Sequence, residues 1–125
     1  MIRLVLESYL LLIRIDLLVS FGRLNAIKTL VQRQVIRRPP DGLTVNSYTV
    51  RRAMDLACVF YVKPVLCLQY SSAAAVLLRR YGQAAEMVVG VQIFPVAFHA
   101  WVEVNGEILT DRPYMHEMYS VLERY

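Results

Sequence analysis

The hydrophobic pattern of the chain changes period after Arg80, and this change constrains the fold more than any other sequence feature. Before that point apolar side chains recur with helical spacing, whereas the segment after Gly82 is rich in β-branched residues that favour strands. A run of helices that leads into an antiparallel meander is typical of α+β proteins. The sequence therefore predicts an α+β fold in which N-terminal helices precede a small antiparallel sheet.

Four helices are predicted before Gly82, and glycine or proline residues separate them. The predicted ranges are 2–20, 24–35, 46–61 and 65–80. An N-cap at Asn46 or Ser47 begins the third helix, because these side chains can accept hydrogen bonds from its first turn. Gly22 and Gly82 end the first and fourth helices. Residues 37–42, with the sequence Arg-Arg-Pro-Pro-Asp-Gly, hold the strongest helix breakers and predict a connector.

Three strands and a closing segment are predicted after the fourth helix. The strands are expected at 86–93, 97–104 and 107–111, and the tail at 114–125 is expected to form a short helix.

The turn between the second and third strands decides which side chains meet. A three-residue loop over 104–106, with positive φ at Gly106, sets Asp111 directly opposite His99, and we predict this loop. In that register one face of the sheet looks toward Cys67 and carries His99, Trp101, Leu109 and Asp111.

The length and composition predict a single domain. A chain of 125 residues with 57% hydrophobic content can bury its own core without disulfides or metal. We expect one domain over 1–125, with a helical N-terminal part at 1–62 and a core at 63–125 that carries the sheet.

Charged residues argue against a membrane segment in the apolar N-terminal stretch. Glu7, Arg14 and Asp16 leave only 8–13 free of charge, far short of the ~18 apolar residues that a span needs. Glu7 also interrupts any signal-peptide core, and no small-residue cleavage site follows. We therefore expect a cytoplasmic protein without a transmembrane segment.

The chain carries two cysteines and a net charge of +4. Their spacing suits neither a metal site nor a disulfide framework, so we expect reduced thiols and no metal or other cofactor. The basic character has two interpretations, a solvated face or a site for an acidic peptide or nucleic acid. No nucleic-acid motif interleaves aromatics or glycines with the arginines, so no nucleic-acid partner is expected. These arginines include Arg33, Arg37, Arg38, Arg51 and Arg52.

Cys67 lies near the amino end of the predicted 65–80 helix. Unpaired backbone N–H groups and the helix dipole favour a negative charge there, and hence a thiolate. Small residues at Ser71, Ala74 and Ala75 lie on the side of the helix below Cys67 and would let a strand approach. Taken alone, Cys67 could equally be a buried structural cysteine. Cys58 is expected in the core.

His99 and Asp111 complete a possible catalytic set. Taken alone, His99 could be a satisfied core histidine and Asp111 an ordinary carboxylate at a strand end. Together with Cys67, however, they supply a nucleophile, a base and an orienting acid on a helix start and two adjoining strands. The other histidine, His116, is expected to be exposed in the polar tail.

Three motifs follow one another in this region. Cys67-Leu68 precedes a helix of small residues, 88–91 reads Val-Val-Gly-Val, and 99–106 reads His-Ala-Trp-Val-Glu-Val-Asn-Gly. In this order they resemble the lasso-peptide leader peptidases, transglutaminase-like proteins found alone or as the C-terminal domain of larger microcin-processing proteins. Members commonly have a basic residue three positions after the cysteine, where this chain has Tyr70.

The resemblance implies a transglutaminase-like or papain-like core, with one cysteine-bearing helix packed on an antiparallel sheet. It implies that Cys67, His99 and Asp111 are catalytic and that the protein removes the leader from a ribosomally made precursor peptide. A small leader-recognition protein would assist, and a macrolactam-forming cyclase would receive the core peptide.

Two other functions remain open from the residues themselves. A thioester can be captured by an amine as well as by water, so the same residues could serve an acyl transferase or amidase. A catalytically inactive module that holds a peptide on its basic face is the alternative outside enzymes.

Overall fold

The structure is a computed structural model that describes residues 2–37 and 46–125. Most of the predicted connector at 37–42 lies outside the described residues. Within them the chain forms five helices and a four-stranded antiparallel sheet in the order β3-β2-β1-β4, so the predicted α+β fold is confirmed. The elements are α1 (Ile2–Ser20), α2 (Leu24–Arg33), α3 (Ser47–Val59), α4 (Cys67–Arg80), β1 (Ala85–Gln92), β2 (Ala97–Val104), β3 (Glu107–Ile108), α5 (Met115–Met118) and β4 (Ser120–Arg124).

The helix ends follow the local signals. The Asn46 side chain accepts a hydrogen bond from the Tyr48 N–H at 2.9 Å and caps α3. Gly22, with φ of 68°, ends α1 in the left-handed conformation that glycine adopts without strain. The second and third helices end earlier than predicted. The backbone becomes extended at Gln34, which ends α2 at Arg33, and α3 ends at Val59.

The fourth helix begins two residues later than predicted. Leu66 has an extended backbone, with ψ of 157°, and serves as the N-cap, so Cys67 is the first residue of α4. Residues 71–78 of α4 are all buried, because the helix packs against α1, α2 and α3 on one side and against the sheet on the other. The nucleophile candidate therefore lies at the end of the most buried helix.

The two faces of the sheet enclose different clusters. One face carries Ala85, Met87, Val102 and Val104, which join the large core formed with the helices. The other face holds Val88 and Trp101 in a smaller cluster with Met115. Trp101 therefore lies on the opposite face from Leu109, which belongs to the helical core, and the prediction that both share one face is wrong.

The predicted three-residue hairpin loop is also wrong. Val104 pairs with Glu107, so the loop has two residues, Asn105 with φ of 52° and Gly106 with φ of 81°. Both residue types tolerate positive φ, as the tight loop requires. The positive φ at Gly106 is as predicted.

The last part of the chain differs most from expectation. The strand predicted at 107–111 pairs only at Glu107 and Ile108, and the tail forms one helical turn followed by β4, which pairs with β1. The α5 helix ends because the backbone becomes extended at Tyr119. The residues that follow can then pair with the edge of β1, which they could not do if the helix continued. No helix in the described parts of the chain is long and apolar enough to cross a membrane.

Candidate active site

A cleft of about 430 Å³ opens at the amino end of α4. Three of its lining residues are Cys67, His99 and Asp111, so the fold brings all three sequence-predicted residues to one place. The other lining residues come mostly from α3, α4 and the segment after β3; they are Arg51, Asp55, Cys58, Val65, Tyr70, Ser71 and Thr110.

Cys67 is exposed, and it is the first residue of α4. The first backbone bond of this helix runs from the Tyr70 N–H to the Leu66 carbonyl, at 2.9 Å. The N–H groups of the first turn therefore precede the helical ladder, and the positive end of the helix dipole lies at the thiol. This position supplies backbone donors for an oxygen anion.

Asp111 engages the ring of His99 through a hydrogen bond between its carboxylate and Nε2. A second oxygen of the same carboxylate accepts the Arg112 N–H at 2.8 Å, which fixes the orientation of the carboxylate. With Nε2 engaged, Nδ1 is the His99 nitrogen left to exchange a proton with Cys67. Within the described residues Cys67 and His99 line the same cleft without a direct hydrogen bond.

A departure from the sheet brings Asp111 to His99. In the two-residue hairpin, a regular ladder would place Asp111 opposite Ala100 and point its side chain away from His99. The ladder continues only to Leu109, whose N–H donates to the Val102 carbonyl at 2.9 Å. The Val102 N–H then donates to the Thr110 side chain rather than to a backbone carbonyl. Because the Thr110 side chain takes the place of a backbone carbonyl, regular strand pairing ends here. The Asp111 side chain can therefore reach His99.

Two aromatic side chains, Tyr119 and Trp101, pack near the His99 ring. The ring centroid of Tyr119 lies 5.7 Å from that of His99, and the centroid of Trp101 lies 6.3 Å away. Gly90 pairs directly with His99 across the β1–β2 ladder and leaves the room that these two rings occupy. The sequence motif contains Trp101, but the part played by Tyr119 depends on the path of the tail.

A polar wall of the cleft was not predicted from the sequence. The Tyr70 hydroxyl donates to the Asp55 carboxylate at 2.6 Å, and burial together with this bond raises the pKa of Tyr70, so it stays a phenol. Arg51 and Asp55 lie four residues apart on one side of α3. That helical spacing is the sequence signal that could have linked them.

Ser71 lies one turn after Cys67 and is 1% exposed. It lines the cleft, as its position four residues after the nucleophile candidate allows.

Cys58 packs against the helical core, in line with the prediction, but it is not fully buried. It is half-buried and lines the same cleft as Cys67, because it follows Arg51 by two helical turns on the same side of α3. Burial and the nearby Asp55 raise the pKa of the Cys58 thiol to about 11. At neutral pH Cys58 is therefore a protonated thiol and a poor nucleophile.

A buried carboxylate lies behind the aromatic residues. Glu103 accepts hydrogen bonds from Trp101 Nε1 at 2.9 Å and from Arg124 at 3.1 Å, and His116 lies 2.8 Å away. His116 is exposed, as predicted, but it also packs edge-on against the Trp101 ring. The Glu of the His-Ala-Trp-Val-Glu run thus serves to fix Trp101 and the tail.

Two comparisons with known proteins find similarity to this chain. A family model described as the transglutaminase-like superfamily matches residues 10–124. The Microcin J25-processing protein McjB of Escherichia coli is 39% identical over 56 residues, which are 45% of this chain and 27% of that protein. The similarity thus spans less than a third of that relative. No solved structure matches the chain significantly.

Proposed function

This chain belongs to the transglutaminase-like superfamily, and from that premise we propose that it is a cysteine peptidase. Cys67 is the nucleophile, His99 the general base and Asp111 the residue that orients His99. The observation that carries this proposal is that the three side chains line one cleft, with the Asp111 carboxylate bonded to the imidazole. A nucleophile, a base and a group that orients the base are the parts that thiol catalysis needs.

The reaction follows from these positions. His99 Nδ1 takes the Cys67 proton, and the thiolate attacks the scissile carbonyl carbon to form a tetrahedral oxyanion. Backbone N–H groups in the first turn of α4, that of Cys67 among them, would donate to this oxygen. The C–N bond breaks as His99 returns the proton to the leaving amine, which leaves a thioester on Cys67.

Hydrolysis of the thioester completes the cycle. Because Cys67 is exposed, water can reach the acyl carbon, and His99 accepts its proton as the C–S bond breaks. The same exposure would also admit an amine, so acyl transfer is the alternative reaction at this thioester. The mass of the product distinguishes the two reactions, because an added amine would remain on an acyl-transfer product.

The substrate we propose is the leader-bearing precursor of a ribosomally made lasso peptide. The similarity to a microcin-processing protein and the His-Ala-Trp-Val-Glu run support this class of substrate. A leader-recognition protein would present the precursor, and a macrolactam-forming cyclase would receive the core peptide. Both cysteines are free, and unpaired thiols are typical of reducing compartments, so we propose that the reaction takes place in the cytoplasm.

The direct test is incubation with the precursor peptide of the same gene cluster, followed by mass spectrometry. We expect no cleavage by Cys67→Ala or His99→Ala, because each removes a group that takes part in bond formation. Asp111→Asn should retain a slow rate, on the order of 10⁴-fold below wild type, because nucleophile and base remain. Cys58→Ala is the matched thiol control and should stay active. Near-normal turnover of Cys67→Ala would refute the assignment.

A second test addresses the recognition protein. We expect slow cleavage by this chain alone and faster cleavage when the recognition protein is added, because leader binding raises the local concentration of substrate. Equal rates with and without it would contradict this division of labour while leaving the peptidase assignment intact.

Thiol reactivity separates the peptidase from an inactive binding module. Iodoacetamide at pH 6 should label Cys67 faster than it labels Cys58 or a free cysteine peptide, since the helix terminus favours the thiolate. If neither cysteine reacts faster than the free peptide, the catalytic proposal loses its physical basis.

A further inference from the structure

The carboxylate of Asp16, in α1, contacts three donor side chains from residues just before and just after Cys67 in the sequence. Its carboxylate accepts hydrogen bonds from Tyr61 Oη at 2.9 Å and Gln69 Nε2 at 3.0 Å, and Lys63 Nζ lies 2.8 Å away. Its side chain is only 17% exposed. The Lys63 ammonium, with the two hydrogen bonds, outweighs burial and holds the pKa of Asp16 below its usual value, so the carboxylate is charged at neutral pH.

The three donors come from both sides of the nucleophile. Tyr61 and Lys63 belong to the link between α3 and α4, which enters the cleft region. Gln69 belongs to the first turn of α4 itself and is 3% exposed. A single carboxylate on another helix thus holds the residues before and after Cys67.

Gln69 uses both ends of its amide. Its Oε1 accepts the backbone N–H of Leu66, the N-cap residue, at 3.0 Å, while its Nε2 donates to Asp16. The Leu66 N–H can only donate, so the amide oxygen must face it and the NH₂ group must face Asp16. The orientation of Gln69 is therefore determined by its two partners.

This contact replaces an ordinary helix cap. Ser, Thr, Asp or Asn at the N-cap accepts bonds from the first turn, but Leu66 has no side-chain acceptor. The first-turn N–H groups are thus left for the reacting oxygen, and the turn depends on Gln69 for its attachment to the preceding chain. Loss of the Asp16 bond would leave a buried NH₂ group without a partner and free the amide to turn.

We propose that Asp16, acting through Gln69, is a positioning residue for Cys67. This rests on the proposed role of Cys67 as nucleophile. Neither Asp16 nor Gln69 lines the cleft, so they do not touch the substrate. They hold the first turn of α4 so that its N–H groups and the thiol keep their relative orientation.

A hydrogen bond between α1 and the C-terminal end of α4 provides a matched control. Glu7 of α1 accepts a hydrogen bond at 2.8 Å from the hydroxyl of Tyr81, the residue that ends α4. Glu7→Gln weakens a bond between the same two helices far along α4 from Cys67. It should lower stability as Asp16→Asn does, without changing the reactivity of Cys67.

The test measures alkylation of Cys67 by iodoacetamide at pH 6.5, read by peptide mapping and mass spectrometry, with thermal unfolding measured in parallel. Asp16→Asn removes the negative charge and leaves one acceptor oxygen for three donors, and Gln69→Glu sets two carboxylates against each other. Each should alkylate about fivefold more slowly than wild type, the size of a weakened helix-terminus effect. The double variant restores the bond with the donor and acceptor exchanged and should recover to within about twofold of wild type.

The outcomes separate this proposal from the proposed function, because alkylation needs no peptide substrate. Reactive Cys67 in wild type and an equal rate in Asp16→Asn would overturn the positioning role while leaving the peptidase intact. Equal slowing in Glu7→Gln would likewise overturn it, since any loss of helix packing would then suffice. If Gln69→Glu does not fold, Asp16→Asn against Glu7→Gln decides the question.

Discussion

Gly90 has no side chain, and that absence shapes the surroundings of His99. A Cβ built on Gly90 would lie 2.7 Å from Cη2 of Trp101 and 2.9 Å from Cβ of Tyr119. Trp101 is fully buried and cannot swing away, and the Tyr119 atom lies next to its backbone. Any side chain at position 90 must therefore displace Trp101 and Tyr119, which pack beside the His99 imidazole.

We expect Gly90→Ala to lower the free energy of unfolding by about 1–3 kcal/mol through overpacking. It should also slow peptide cleavage, because Trp101 and Tyr119 pack against His99 and their displacement would shift its ring. Urea denaturation and the cleavage rate measure the two effects. Gly106→Ala is the matched control: its φ of 81° makes alanine strained, but no atom lies within 4 Å of the new Cβ. It should lose stability and keep the chemistry at His99, and a Gly90→Ala enzyme with normal rate would contradict the packing role.

At the scale of elements, Glu103 connects β2 to both parts of the tail. It bonds Arg124 of β4 and lies against His116 of α5, while Trp101 donates to it within β2. Burial opposes its ionisation, but the Trp101 bond and Arg124 outweigh burial and hold the pKa of Glu103 below its usual value. The charged form is thus favoured by folding.

Glu103→Gln should destabilise the protein by about 2 kcal/mol at pH 7, the contribution of hydrogen bonds to a buried charge. A carboxyl whose pKa is lower in the folded state stabilises it above the unfolded pKa of ~4.3, and this stabilisation is lost as the pH falls through the folded value. The difference between wild type and variant should therefore be full at pH 7 and shrink below about pH 4. Urea denaturation across this range measures it.

Glu86→Gln provides the comparison for that experiment. Glu86 also bonds Arg124 at 3.1 Å, but its side chain is 53% exposed. An exposed ion pair contributes roughly 0–1 kcal/mol, so this variant should be close to wild type at every pH. Equal losses in the two variants would mean that Arg124, rather than the buried position of Glu103, carries the effect.

At the scale of the whole molecule, one hydrophobic core joins the two halves of the chain. Leu11, Ile27 and Val50 of the helical part lie in the same cluster as Leu77 and Val102 of the remainder. A fragment cut at residue 62 would expose the apolar face of α4 that these residues cover. We therefore propose that 1–62 and 63–125 form a single cooperative domain.

This predicts coincident unfolding of both layers in urea. Far-UV circular dichroism follows the helices, and the fluorescence of Trp101, the only tryptophan, follows the far face of the sheet. Two-state folding requires the same midpoint from both probes, and residues 63–125 alone should remain unfolded. Separate midpoints would indicate that the helical part and the sheet are independent units.

Local signals were enough to locate the four N-terminal helices and to select the candidate site residues. Asn46 and Gly22 act through their own backbone and side-chain preferences, so their roles are visible in any stretch of sequence. The candidate nucleophile, base and acid were likewise selected by residue type and order. Cys67, His99 and Asp111 were then brought to one cleft by the fold.

Contacts between residues that are distant in sequence could not be predicted from local signals. Asp111 reaches His99 because the Thr110 side chain replaces a backbone carbonyl as the acceptor for the Val102 N–H. Regular strand pairing does not predict this replacement. The pairing of β4 with β1 depends on an unoccupied sheet edge more than 25 residues away in sequence.

The sequence by itself determined where the helices run, that a sheet follows them, and which three residues could carry thiol chemistry, because period, capping and residue type are properties of short segments. Only the tertiary structure decided that Asp16 and Gln69 hold the first turn of α4, that Cys58 stays protonated beside Cys67, and that Tyr119 packs on His99. These depend on which surfaces meet, and burial, hydrogen-bond partners and local charge exist only once they have met.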